Sequence, residues 1–188
     1  MSSKNGGKSD QGARIFREEA LRRVNHPAKN GGVLRIPALG GDKRVRSPIV
    51  YQTTTADCGA ACLAMILGAF GKHVPLSDLR DAMGTPRDGA SAFSIVETAR
   101  RNGLRAEGVT AEPDDLRFVS LPAIIHWEFR HFLVLTRYGS ESVEVLDPAT
   151  GRRRLSRRVF DEGFTGVALL FEPSDGFERN DQPKRFWR

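Results

Sequence analysis

"QTTTADCGAACLAMIL", residues 52–67, sets a polar, turn-forming run directly against a segment apolar enough to require burial. Residues 58–70 read as one helix that is apolar nearly all round, and Gly71 ends it. A helix with no polar face belongs inside a fold, with other elements packed around it. Asp57 is a good N-cap residue, which places Cys58 in the first turn, where unpaired backbone N–H groups and the helix dipole favour an anion. That position promotes the nucleophilic thiolate, although the charge of Asp57 acts in the opposite sense. Cys62, one turn deeper among Leu63, Met65 and Ile66, fits the commoner role of a small buried apolar residue.

Outward from this helix, the 188-residue chain has room for one ordinary core with tails. Its apolar runs, such as Ala60–Leu67 and Phe132–Leu135, are far shorter than the ~20 residues of a membrane-spanning helix, and the N-terminus has no signal-peptide stretch. The expectation is a soluble chain that is not secreted by that route. Net charge is +6, but 11 of the 29 basic and 4 of the 23 acidic residues lie in residues 1–50, leaving the remainder at −1. Basicity confined to a Gly- and Ser-rich arm, without aromatic or motif support, argues against nucleic acid as a partner. Cys58 and Cys62 are too close in sequence to close a useful disulfide loop, and His73, His126 and His131 show no zinc spacing. Reduced thiols, no metal and no cofactor are expected.

Three regions are expected: a basic arm over 1–43, a globular domain over 44–174 and a polar tail over 175–188 that ends in "KRFWR". Within the arm, Phe16, Ala20 and Val24 recur every four residues, which would give a short amphipathic helix. "PLSDLRDAM" and "SAFSIVETARRNG" read as two further helices, opened by Pro75 and closed by Gly103 respectively. Beyond Gly103 the pattern changes to "LRAEGV", "LPAIIHW", "HFLVLTRY", "SVEVLD", "RRRLS" and "GVALLFEP", β-rich runs separated by Pro and Gly turns. Helices first and strands afterwards imply an α+β fold with a central helix packed on an antiparallel sheet.

A cysteine nucleophile needs a base. His131 opens "HFLVLTRY" and Asp147 closes "SVEVLD", and a hairpin centred near Gly139 or Ser140 sets the two opposite or diagonal on one sheet face. A slip of one residue would turn Asp147 to the other face. In the favourable register the carboxylate orients the imidazole, the relation a Cys–His–Asp triad requires. Gln52 offers a side-chain amide that, with the backbone N–H of Cys58, could hold the oxyanion of an acyl-transfer step. Trp127 and His126, just before His131, are candidate walls for a substrate channel, with a core role equally open to Trp127.

These residues, with "LDPATG", "SLPAIIHWEFRHFLVL" and "FTGVALLFEP", resemble the double-glycine peptidase domain of bacteriocin-exporting ABC transporters, and in particular the branch that exports peptides with nitrile-hydratase-like leaders. The resemblance spans about residues 44–174. It implies a papain-like fold and a cysteine endopeptidase that cuts a ribosomal precursor peptide after Gly-Gly, with Cys58 as nucleophile, His131 as general base, Asp147 as its orienting partner and Gln52 as oxyanion donor. Implied partners are a precursor with a Gly-Gly leader and transporter membrane and ATPase domains; the implied location is the cytoplasmic face of the membrane. Because such transporters continue beyond the peptidase, the chain reads as an excised or free-standing domain. The arm carries Gly31-Gly32 and Gly40-Gly41, but Lys29 and Ala38 stand where leaders of this class put a large apolar residue, which argues against a self-cut leader. Two rival readings are a docking domain that binds leaders without cutting them and an acyltransferase that uses the same triad.

Overall fold

The computed structural model describes residues 44–84 and 89–180. The expected arm with its Phe16 stripe, and the closing "KRFWR", lie outside them.

Helix α1 (Cys58–Ala69) is buried from Cys58 through Leu67, as its all-round apolar sequence requires. It ends in a Schellman-type turn in which Lys72 N–H donates across Gly71 (φ +91°) to the Leu67 carbonyl at 2.9 Å. Two shorter helices, α2 (Leu76–Met83) and α3 (Ala92–Arg101), turn only one face inward: Leu79 and Met83 from α2, and Ile95, Val96 and Ala99 from α3. Ser91 caps α3 by accepting from Ser94 N–H at 3.0 Å. Glycine lets these helices close on α1: a Cβ on Gly59 would come within 2.8 Å of Ala90 Cβ and 2.9 Å of Ile95 Cδ1.

Six strands follow: β1 (Leu104–Thr110), β2 (Ala123–Trp127), β3 (His131–Tyr138), β4 (Ser142–Asp147), β5 (Gly151–Ser156) and β6 (Phe164–Pro173). They form one antiparallel sheet in the order β1-β6-β2-β3-β4-β5. The last strand inserts between β1 and β2, so the chain closes through the middle of its own sheet. Alternation divides the strands between two cores. Ile124, Phe132, Val134, Leu146 and Leu169 pack with α1–α3, whereas Ile125, Trp127, Leu133, Val145 and Ala168 pack on the other face.

That second face is covered by a fourth helix, α4 (Arg157–Gly163), and by the 3-10 turn Pro113–Phe118, which contributes buried Leu116. Phe160 of α4 packs among Trp127, Tyr138 and Phe164. Neither covering element was expected from the sequence; each is short and buries a single large side chain fully. The chain beyond β6 also packs on the domain. Ser174 N–H donates to Gly103 O, Phe177 meets Phe70 edge-on at 6.4 Å, and Asn180 pairs with the His73 backbone. Contacts with the domain therefore continue to Asn180.

Candidate active site

The segment entering the fold is fixed before it reaches Cys58. Val45 N–H donates to Thr136 O, Ser47 Oγ to Met65 O at 2.8 Å, and Gln52 N–H to Pro148 O at 2.9 Å. Gln52 is thereby tied to the residue that follows Asp147. Its Oε1 is buried and has no hydrogen-bond partner. Since the two ends of an amide exchange by a flip, this side chain has unused hydrogen-bonding capacity.

Between Gln52 and Cys58 the chain forms a 3-10 turn, Thr55–Asp57. The N-cap expectation for Asp57 needs correction here. Asp57 sits at the helix start with an αR backbone, and its side chain caps nothing in α1. The carboxylate turns back to accept from Thr54 N–H at 2.9 Å and lies 3.7 Å from Arg80 of α2. An N-cap needs an extended backbone to aim its oxygen at the N2 or N3 amide, and the preceding 3-10 turn removes that geometry. The first-turn amides of α1 are left without this side chain, and Arg80 offsets its charge.

His131 and Asp147 meet at the open end of the β3–β4 hairpin, with His131 Nε2 3.0 Å from Asp147 Oδ1. A bulge makes this possible. Near the turn Tyr138 pairs with Val143, a register that would continue to set Val134 against Asp147 and leave His131 on the opposite face. The register shifts between Leu135 and Arg137, so Val134 pairs with Leu146 instead, and His131 and Asp147 fall on the same face, diagonal to one another.

Asp147 is held by its own turn as well, accepting from Ala149 N–H at 2.8 Å and from the Thr150 side chain, while Arg153 Nη1 lies 3.1 Å from Oδ2. Burial acts to raise its pKa, but the hydrogen bonds from His131 and Ala149 outweigh that and hold the carboxyl below its ordinary value. Cys58 is the neighbour that acts most strongly on His131: its side chain is the main cause of a raised imidazole pKa, which burial opposes and Asp147 supports. Cys58, His131 and Asp147 therefore form one connected chain of side chains.

Cys62 is fully buried, donates from Sγ to Phe132 O at 3.3 Å, and has its thiol pKa pushed well up, first by burial and then by the charges of Cys58 and Asp147. His126, half-buried on the helix face, lies 3.0 Å through Nδ1 from Thr165 Oγ1 and packs against Phe132 at 5.0 Å. Burial, with repulsion from His131, depresses its pKa. Trp127 packs in the second core, against Phe160 and so close to Gly163 that a Cβ there would overlap the indole ring, which is the core role left open to it by the sequence. Among the described residues no group of three or more His, Cys, Asp or Glu is disposed to hold a metal, and no helix is long and apolar enough to cross a membrane.

The sequence model of the peptidase C39 family matches residues 46–176. The chain belongs to this family.

C39 relatives include the Escherichia coli colicin V secretion/processing ATP-binding protein CvaB, 41% identical over 133 residues, and the probable microcin-H47 secretion/processing ATP-binding protein MchF, 39% identical over 142 residues. These alignments cover 71% and 76% of this chain but 19% and 20% of the relatives, so it spans about one fifth of their length. Among solved C39-type structures, a double glycine motif protease from an AMS/PCAT transporter, in complex with the leader peptide, superposes with a TM-score of 0.68 at 39% identity, covering 70% of this chain and 94% of that one. The peptidase domain of Streptococcus ComA, a bifunctional ABC transporter of a quorum-sensing pathway, gives 0.63 at 27% identity, covering 66% and 97%. The helices-on-sheet architecture is thus the papain-like C39 peptidase fold, and the chain is a cysteine peptidase domain of the kind found in processing transporters.

Proposed function

We propose that this domain cuts the leader from a ribosomally made precursor peptide after Gly-Gly, in conjunction with an ABC transporter that exports the product. The observation that carries the reading is the connected Cys58–His131–Asp147 chain at the mouth of α1, in a fold shared with a double-glycine protease solved with a leader peptide. In this reading Cys58 Sγ attacks the carbonyl carbon of the second glycine, and the oxyanion is held by the Cys58 backbone N–H and the Gln52 amide. With Nε2 of His131 occupied by Asp147, Nδ1 faces the thiol, takes its proton and gives it to the departing amine as the C–N bond breaks. Water, deprotonated by the same nitrogen, then splits the thioester, which releases the leader as a free carboxylate and restores the thiol. A channel too narrow for a Cβ would restrict the two residues before the cut to glycine, and His126 is retained as one wall of it.

The regional division belongs to the proposal as well: an arm over 1–43, the peptidase over 44–174 and a polar C-terminal tail over 175–188. So does a working position at the cytoplasmic face of a membrane, beside transporter domains. The test is incubation with a synthetic precursor that carries a Gly-Gly leader, read by mass spectrometry. Cleavage after the second glycine is expected for the wild type and for Cys62→Ala, and none for Cys58→Ala. Equal cleavage by both variants would overturn the assignment, and tight binding without cleavage by the wild type would favour a docking role.

A further inference from the structure

The carboxylate of Asp147 has four donors of two kinds. Ala149 N–H and the Thr150 side chain belong to the turn that follows Asp147, so they move with it. His131 and Arg153 approach from the flanking strands β3 and β5, one at each oxygen: His131 Nε2 at 3.0 Å from Oδ1 and Arg153 Nη1 at 3.1 Å from Oδ2. The register places Arg153 for this contact. Asp147 pairs with Gly151 and Val145 with Arg153, so Arg153 is diagonal to Asp147 on the same face of the sheet. Neighbouring arginines are engaged elsewhere: Arg152 lies 3.6 Å from Glu144, and Arg154 donates to Ser142 Oγ at 3.0 Å.

We propose that Arg153 is a positioning residue for the triad, holding the Asp147 carboxylate in the rotamer that presents Oδ1 to His131. This rests on the peptidase reading of the site but goes beyond it, because no chemistry of the triad itself calls for the arginine. A carboxylate gripped only by its own turn can rotate about its Cα–Cβ bond; a cation fixed on Oδ2 from the next strand removes that freedom. Misplacement of an orienting group by a fraction of an ångström is enough to slow proton transfer. The charges that face Asp147 are those of His131 on β3 and Arg153 on β5.

The experiment is a double-mutant cycle on cleavage of the Gly-Gly precursor, joined to NMR titration of the His131 ring. Arg153→Ala is expected to lower kcat about tenfold with KM nearly unchanged. It should also move the alkaline limb of the rate profile, and the His131 titration, to lower pH, as loss of the Asp147 contact does. Arg153→Lys should restore part of both. In an Asp147→Asn background Arg153→Ala should cost nothing further. An unchanged kcat and titration in Arg153→Ala, or the same loss in both backgrounds, would overturn the proposal. The ring titration is legible even if no peptide is cut, so failure of the peptidase reading and failure of the positioning role are separate results.

Discussion

The first and second turns of α1 carry the same side chain in opposite circumstances. Cys58 lies at the mouth of the helix, buried but beside an imidazole on which it acts; Cys62 lies four residues on, sealed in the core with its thiol donated to a backbone carbonyl. Burial alone raises a thiol pKa, as it does at Cys62. Cys58 differs in having an imidazole beside it, the base that a thiol nucleophile needs. One turn of helix, about 5 Å along the axis, separates the two outcomes.

Removing the reactive thiol is the strongest way to break the comparison. Cys58→Ala should abolish cleavage, a loss of about 10⁶ in kcat on the scale of other nucleophile deletions, measured by single-turnover assay. Asp147→Asn keeps the shape of the carboxylate but supports the wrong imidazole tautomer, so a loss of about 10⁴ is expected. The pH dependence should change with it. His131 has a raised pKa, so its protonated form, which serves the leaving amine, persists above the ordinary value of 6.5 and is lost as pH rises through the raised one. Asp147→Asn should bring that alkaline limb down in a pH–rate profile. Gln52→Ala should cost about 10²–10³ in kcat, the usual effect of one lost oxyanion donor, with little change in KM. Smallest is Cys62→Ala: cleavage is kept, and thermal or denaturant unfolding should show a loss of about 1–2 kcal/mol from the vacated core volume.

The order and kind of most elements were legible in the sequence, because α1 has no polar face and the strands after Gly103 are bounded by Pro and Gly. What escaped was short or depended on register. Helix α4 has seven residues and buries fully only Phe160 among its large side chains, too little periodicity to stand out. The bulge beside Thr136 decides whether His131 can meet Asp147, yet threonine is an ordinary strand residue and nothing in "VLTRY" marks an irregularity. The Asp57 expectation failed because capping depends on backbone angles as well as residue type. His126 and Trp127 are adjacent in sequence, and strand alternation sends them to opposite faces, with Trp127 in the core role that its sequence left open. Arg153 was within reach of the pattern, since "RRRLS" alternates, but which arginine faces Asp147 follows only from the β4–β5 pairing.

The most direct measurement is covalent trapping with a leader peptide that ends in a Gly-Gly chloromethyl ketone, followed by fragmentation mass spectrometry, since Cys58 and Cys62 share one tryptic peptide. The adduct should reside on Cys58 alone, form rapidly near neutral pH and slow in Asp147→Asn. An adduct on Cys62, or labelling of Cys58 at the rate of a simple exposed thiol and indifferent to loss of His131, would contradict the account.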